Sequence, residues 1–261
     1  MIIKGKKATA AKKSARDETR YRAPALDKGI DILELLASVP YSKTKAEIAT
    51  ALGRSQSEIY RMLERLVARG YVLKIETDRY SLSMHMFTMA TRYPPIQRLV
   101  NAAAPLMARF SKAVFQSCHL GRHDNGSMVI LAQQASPSDW GMQLRLGAKI
   151  DLASSASGRL FMAFQPAEVL QSITTNYHVQ LDNKFLTELK DIRRIGHLTA
   201  PSRQAKGVLD ISFPIIDGSG EAIAVLTCPF VERLDGLTAK SLEQTIHELG
   251  AIASELSFGA R

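Results

Sequence analysis

The chain has 261 residues, 46% apolar and 23% charged; this excludes wholesale disorder and, at this length, favours two domains over one module of about 100–150 residues. Its longest strongly apolar run, Ala222 to Val231, holds a Thr, a Cys and a Pro, and is far shorter than the roughly 20 residues a membrane helix needs. The net charge of +9 sits mostly in residues 1–22, where eight basic side chains face Asp17 and Glu18, and no apolar segment follows to make a secretory signal.

An arm of that composition cannot bury a core, so disorder is expected for residues 1–22. It is either a solvated tail or a contact for a polyanion such as DNA phosphate. Ile2 and Ile3 alone do not make the apolar face that membrane binding requires. The two cysteines, Cys118 and Cys228, form no CxxC pair. A disulfide framework and a zinc finger are therefore not expected, and a reducing cytoplasm is.

Leu26, Ile30, Leu33 and Leu36 follow helical spacing, which predicts a first helix over about 25–37. Thr44-Lys45-Ala46-Glu47 reads as a capping box, and the helix it opens stops at Gly53. Only Arg54 separates it from a second capping box, Ser55-Gln56-Ser57-Glu58. The next helix carries Ile59, Met62, Leu63, Leu66 and Val67 on one face, and Gly70 stops it. Residues 71–75 and 79–82 read as two strands of a hairpin. Two capped helices around a tight turn, with a helix before and a hairpin after, describe a winged helix-turn-helix over 23–82. Gln56, Ser57, Tyr60 and Arg61 suit base edges at the start of the reading helix, and Ser55, which caps it, is a DNA-contact candidate beside them. Arg54, Arg65, Lys74 and Arg79 suit phosphates. The same elements also build protein–protein domains, and Glu64 on the outward face repels phosphate.

A Met-rich stretch follows: Met84, Met86, Phe87 and Met89. It is a short linker helix over 83–94, which either forms a dimer seam or packs on its own hairpin. A longer helix over about 95–114 follows, with Pro105 expected to kink or divide it.

Residues 95–261 mix strand and helix patterns. Strands are expected at 115–120, 128–134, 142–146, 208–216 and 221–229, helices at 154–164, 186–195 and 237–257. An antiparallel sheet flanked by helices is an α+β, sensor-like domain. No Walker A loop, GxGxxG or GxSxG occurs, so no cofactor is expected and an enzyme is not the first reading. His119, His123 and Asp124 are a poor metal set, because the segment reads as strand and turn rather than helix. From Gly147 to Arg159 small hydroxylated residues lead into a helix, whose free amides could hold a carboxylate or phosphate. The serines could equally serve only as caps. A rival reading makes Ser154, Ser155 or Ser157 a nucleophile, but no base is evident nearby. A third makes the chain a protein-interaction module with a basic tail.

Several of these residues together resemble the IclR family of bacterial transcriptional regulators. They are Ala46, Glu47, Ile48, Ala49, Leu52 and Gly53, then Ser57, Arg61, Leu63, Leu66, Gly70 and Val72. The run from Gly147 to Gly158, the pair Gly207-Val208, and the hairpin residues Pro214, Asp217, Gly220 and Ala222 to Leu226 complete the pattern. The resemblance implies a GAF-like effector-binding domain over 95–261 and a homodimer or homotetramer on a partly palindromic DNA operator. It implies an effector pocket with Met142 and Ile150 as apolar wall, and with Ala156 and Ser157 at a helix N-terminus. Val208, Asp210, Thr227 and Pro229 would complete it from the hairpin. The resemblance implies small carboxylates or aromatic acids as effectors. Ser154, Ser157 and the helix N-terminus would suit a carboxylate, with Arg145 or Arg203 as counter-charge. Asp210 argues against one unless it accepts from a ligand hydroxyl, which a hydroxy or sugar acid would supply. Asp151, Arg159 and Arg203 depart from the family pattern.

Overall fold

The structure, a computed structural model, describes residues 23–76, 78–139, 141–177, 179–232 and 240–259. The basic arm and the expected start of the last helix at Leu237 lie outside them. Contacts divide the chain after Tyr93 into two units.

The first unit begins with α1 (Pro24–Ala37). β1 (Lys43–Thr44) leads into α2 (Lys45–Ala51), and α3 (Gln56–Ala68) follows. Both expected capping boxes are present. The Glu47 amide donates to Thr44 Oγ1 at 3.2 Å, and the Glu58 amide to Ser55 Oγ at 3.3 Å. Each glutamate reaches back to its cap amide, at 2.6 and 3.0 Å. Between the helices Gly53 takes φ +61°, which lets the Arg54 amide close on the Ala49 carbonyl at 2.9 Å. β2 (Val72–Ile75) and β3 (Arg79–Leu82) form the antiparallel wing, and β1 joins its outer edge in the order β1-β3-β2. Ile32, Leu36, Ile48, Ile59, Leu63, Val72 and Tyr80 fill the core. On α3 the buried Ile59 and Leu63 are the face that helical spacing selected. The stripe expected on α1 is corrected: Leu36 is buried and Leu33 packs at the margin, whereas Leu26 and Ile30 are exposed and Ile32 takes the core position. A short helix, α4 (His85–Thr91), ends the unit.

The second unit opens with α5 (Pro94–Val114), which Pro105 does not divide. β4 (Cys118–Asp124) and β5 (Ser127–Gln134) form a hairpin through Asn125 and Gly126, both at positive φ. That is the backbone a two-residue turn matching strand twist requires. β6 (Lys149–Asp151) follows, then α6 (Ala156–Ala163), α7 (Ala167–Tyr177) and α8 (Asn183–Ile195). β7 (Leu198–Pro201), β8 (Val208–Ile216), β9 (Ala222–Val231) and α9 (Leu242–Gly259) complete it. The sheet is antiparallel throughout, in the order β6-β5-β4-β9-β8-β7.

Alternation along the strands divides the sheet into two faces. Cys118, Leu120, Ile211, Ile215, Ala224, Leu226 and Cys228 pack against α5 and α9. Met128, Ile130, Ile150 and Val225 pack against α6.

Two expected strands differ. Residues 115–117 are not strand, because Phe115 sits at φ 55° closing α5 while the Gln116 amide side chain pairs with both backbone groups of Val231. Residues 142–146 are irregular. Gly147, at φ +75°, donates to the Ile130 carbonyl at 2.8 Å and turns the chain, so only Lys149–Asp151 pairs with β5. α7, β6 and β7 carry little periodic signal and were not expected.

Candidate functional site

On the first unit α3 exposes Gln56, Ser57, Tyr60, Arg61 and Arg65, with Ser55 at its cap. The opposite face is buried through Ile59 and Leu63. The acidic residue nearest the exposed N-terminus, Glu58, is occupied. Its carboxyl takes the Ser55 amide and hydroxyl and pairs with Lys28 at 3.2 Å, which holds its pKa down to about 2.

Two of the four phosphate candidates are engaged inside the unit. Arg54 Nη2 donates to Asp31 Oδ2 at 2.8 Å, tying the turn to α1. Arg79 Nε and Nη2 donate to the Ser42 hydroxyl and carbonyl at 3.0 and 2.7 Å. Lys74 lies 5.8 Å from the centroid of the Tyr80 ring. Lys74 is exposed, and two lysines that the sequence reading passed over are half-buried near α3 and the start of α2. Lys45 Nζ lies 5.3 Å from the Tyr60 ring centroid, and Lys43 Nζ 5.1 Å from that of Tyr41. Their signal was present: they flank the capping Thr44 at the start of α2.

On the second unit a pocket with about 430 Å³ of empty volume opens on the α6 face of the sheet. Its floor follows from strand register. His119 pairs with Thr227 across β4 and β9, and Asp210 with Pro229 across β9 and β8. The four are lateral neighbours on one face, and all line the pocket. Ser155, Ala156 and Ser157 line it from the start of α6, Met142, Gln143 and Leu144 from the irregular segment, Ile150 from β6, and Ser202 and Gln204 from the loop before β8.

Of the implied effector residues, the structure therefore brings together Met142, Ile150, Ala156, Ser157, Asp210, Thr227 and Pro229. It does not bring Arg145, Ser154 or Val208 to the pocket wall, nor Arg203. Arg145 and Arg203 are exposed. Ser154 gives its amide to Asp151 Oδ1 at 2.6 Å, in the turn that Asp151 creates. Val208 is buried beside the site. His119, read from sequence as a weak metal candidate, is a pocket residue. Strand alternation could have placed it there, since Cys118 and Leu120 face the other core.

The polar groups differ in how far they are satisfied. Ser155 Oγ accepts the Gly158 amide at 3.0 Å and caps α6. Thr227 and Ser212 hydroxyls lie 2.9 Å apart. Asp210 is buried, which pushes its carboxyl above the usual range, while Ser202 and the Arg159 charge act against that shift. Arg159 itself is paired with Glu188 on α8. Burial pushes the His119 imidazole down to about 4, so it is neutral near pH 7. No hydrogen bond joins Ser155 or Ser157 to His119 among the described residues, as a nucleophile and its base would need. Nor does any group of three or more His, Cys, Asp or Glu side chains there suit a metal ion.

A winged helix-turn-helix followed by an antiparallel sheet with a buried polar pocket defines a class, that of ligand-responsive DNA-binding regulators. The IclR helix-turn-helix model matches residues 25–75, and the bacterial transcriptional regulator IclR C-terminal model matches residues 94–257. The chain belongs to the IclR family of bacterial transcriptional regulators. It is 26% identical over 193 residues to the HTH-type transcriptional regulator KdgR of Dickeya chrysanthemi, a match spanning 70% of this chain and 63% of that one. The fold is shared with the Thermotoga maritima IclR, at 23% identity, TM-score 0.67 and coverage of 90% and 96%. It is also shared with an IclR homologue from Microbacterium hydrocarbonoxydans complexed with 4-hydroxybenzoate, at 20% identity, TM-score 0.73 and coverage of 91% and 99%. Among the described residues no helix is long and apolar enough to cross a membrane.

Proposed function

We propose that the chain is a cytoplasmic, sequence-specific DNA-binding regulator whose operator affinity is set by a small polar metabolite held in the α6 pocket. α3 enters the major groove, with Gln56, Ser57, Tyr60 and Arg61 at base edges. Lys43, Lys45 and Arg65 hold phosphates, which position without specifying. Arg54 and Arg79 shape the unit instead of touching DNA. The carrying observation is the start of α3: four exposed hydrogen-bonding side chains on a helix whose capping glutamate is engaged by its own cap and paired with Lys28.

The protein acts as a homodimer or homotetramer. α1 leaves Leu26 and Ile30 exposed, and Met84, Met86, Phe87 and Met89 at α4 are exposed as well. Tyr71 touches α4 through His85 and Met89, which occupies only part of it. Effector shifts operator affinity only by its differential affinity for two arrangements of the assembly. Fluorescence anisotropy on DNA upstream of the protein's own gene, against scrambled DNA, tests this. Specific binding that weakens for Arg61→Ala while scrambled binding holds supports base reading. Equal loss on both DNAs removes Arg61 from that role.

A further inference from the structure

We infer that His119 is a specificity-determining residue of the α6 pocket, where its ring hydrogen-bonds a hydroxyl group of the effector. The inference rests on reading that pocket as the effector site.

Strand register carries the argument. Gln133 on β5, His119 on β4, Thr227 on β9 and Ser212 on β8 are successive cross-strand partners. Their side chains therefore form one row on the α6 face of the sheet. At one end the row is satisfied. The Ser212 and Thr227 hydroxyls lie 2.9 Å apart, and both residues are buried. At the other end it is not. His119 is 6% exposed and lines the pocket, and among the described residues no hydrogen bond reaches its ring. Gln133 Oε1, on the neighbouring strand, is buried and also has no partner among them. Buried polar groups are almost always paired, so two unpaired neighbours, one of them on the wall of a cavity, mark a place for a ligand group.

The chemistry selects that group. Burial pushes the His119 imidazole down to about 4, so near pH 7 it is neutral and presents one N–H donor and one acceptor nitrogen. Gln133 Oε1 only accepts. A hydroxyl both donates and accepts, and so meets the ring in either tautomer. A methylene in its place leaves a buried polar ring facing hydrocarbon. His119 is also separate from Asp210, the carboxyl on the floor. β9 lies between their strands, and Asp210 pairs with Pro229, two residues on from Thr227. At about 4.8 Å between strands and 3.4 Å per residue, their Cα atoms are roughly 12 Å apart. Asp210 has Ser202 as its side-chain partner. A hydroxyl at His119 is therefore a second point of recognition, distinct from any group held at Asp210.

The test is calorimetric titration of the full chain with hydroxylated probes and their deoxy counterparts. The pairs are 4-hydroxybenzoate with benzoate, 3-hydroxybutyrate with butyrate, gluconate with hexanoate, and glucose with 2-deoxyglucose. Expected is at least one hydroxylated probe that binds about tenfold or more tighter than its counterpart. In His119→Leu that ratio should fall to about one, whereas His119→Gln, whose carboxamide keeps a donor and an acceptor, should preserve most of it. Should His119→Leu not fold, the wild-type chain still reports. With 15N-labelled histidine, the ring signal absent from His119→Gln marks His119, and the favoured hydroxylated probe should shift it more than the deoxy counterpart does. Equal binding within every pair, a preference that survives in His119→Leu, an unmoved His119 signal, or no hydroxylated binder at all overturns the inference. Met142→Trp, which fills the pocket from its irregular wall, separates the two failures. Where it abolishes binding, only the role of His119 falls and the pocket stands. A probe that still binds Met142→Trp with wild-type affinity lies elsewhere, and the effector-site reading falls with the inference.

Discussion

Gly158→Ala places a methyl group where α6 has no room for one. A Cβ at this position lies 2.0 Å from the Leu152 carbonyl oxygen and 2.6 Å from its carbon. Unforced C···O contacts sit at about 3.3 Å or more, so the helix must retreat by about 1 Å. Leu152 cannot yield by rotating a side chain, because the clash is with its backbone and the residue is fully buried. Overpacking of this kind costs about 1–3 kcal/mol, and a backbone clash belongs at the upper end. Alanine returns about 1 kcal/mol of helix propensity, which leaves a net loss of about 2 kcal/mol. For a unit of this size that lowers Tm by about 4–8 °C. The retreat also draws the Ala156 and Ser157 amides away from the pocket, so effector affinity should fall as well. Differential scanning calorimetry of the full chain reads the first effect. Gly218→Ala is the control, since nothing lies within 4 Å of its Cβ and its φ is not positive. A Gly158→Ala protein melting within about 1 °C of wild type would refute the reasoning.

Other outcomes follow from the first unit. Arg61→Ala should cost about 1–3 kcal/mol on specific DNA and far less on scrambled DNA, read by anisotropy. Replacing both Lys43 and Lys45 with Gln should flatten the dependence of log affinity on log salt by about 1.8, at 0.9 per phosphate contact. Arg54→Met should leave that slope unchanged and destabilise the unit by about 1 kcal/mol, because it breaks a partly exposed pair with Asp31. Glu58 gives a pH test. Its folded pKa, about 2, lies below the ordinary 4.5, so its stabilisation is complete above that ordinary value and disappears as pH falls through about 2. Glu58→Gln should therefore lose stability at neutral pH and show a shallower decline in thermal stability across that acid window.

The first unit was legible because its signals are local. A capping box, a glycine stop and an apolar stripe each lie within a few residues, and Thr44, Ser55, Gly53 and Ile59 behave as their spacing predicts. The second unit depended on pairing between distant segments. Residues 142–146 alternate like a strand, yet Gly147 turns them into a pocket wall. α7 has only Ile173 buried, so its helical periodicity had little core to report. At the site, residue type alone could not show that Arg54, Arg79 and Ser154 each have an acceptor or donor from their own fold within hydrogen-bond reach. His119 was missed for the reverse reason. Alternation puts it on the face opposite Cys118 and Leu120, but its place beside Thr227 emerges only when β4 and β9 are paired.

The measurement that bears most directly on the account is selection from a random duplex DNA library by the purified full chain at moderate salt. Enrichment of one partly palindromic sequence is expected, its half-sites spaced by whole helical turns. Bound again by anisotropy, that sequence should exceed scrambled DNA by about a thousandfold or more. For Arg61→Ala that excess should narrow by the corresponding amount of about 1–3 kcal/mol. A library that returns without a common sequence, bound only in proportion to its charge, would contradict sequence reading by α3 and with it the proposed regulator.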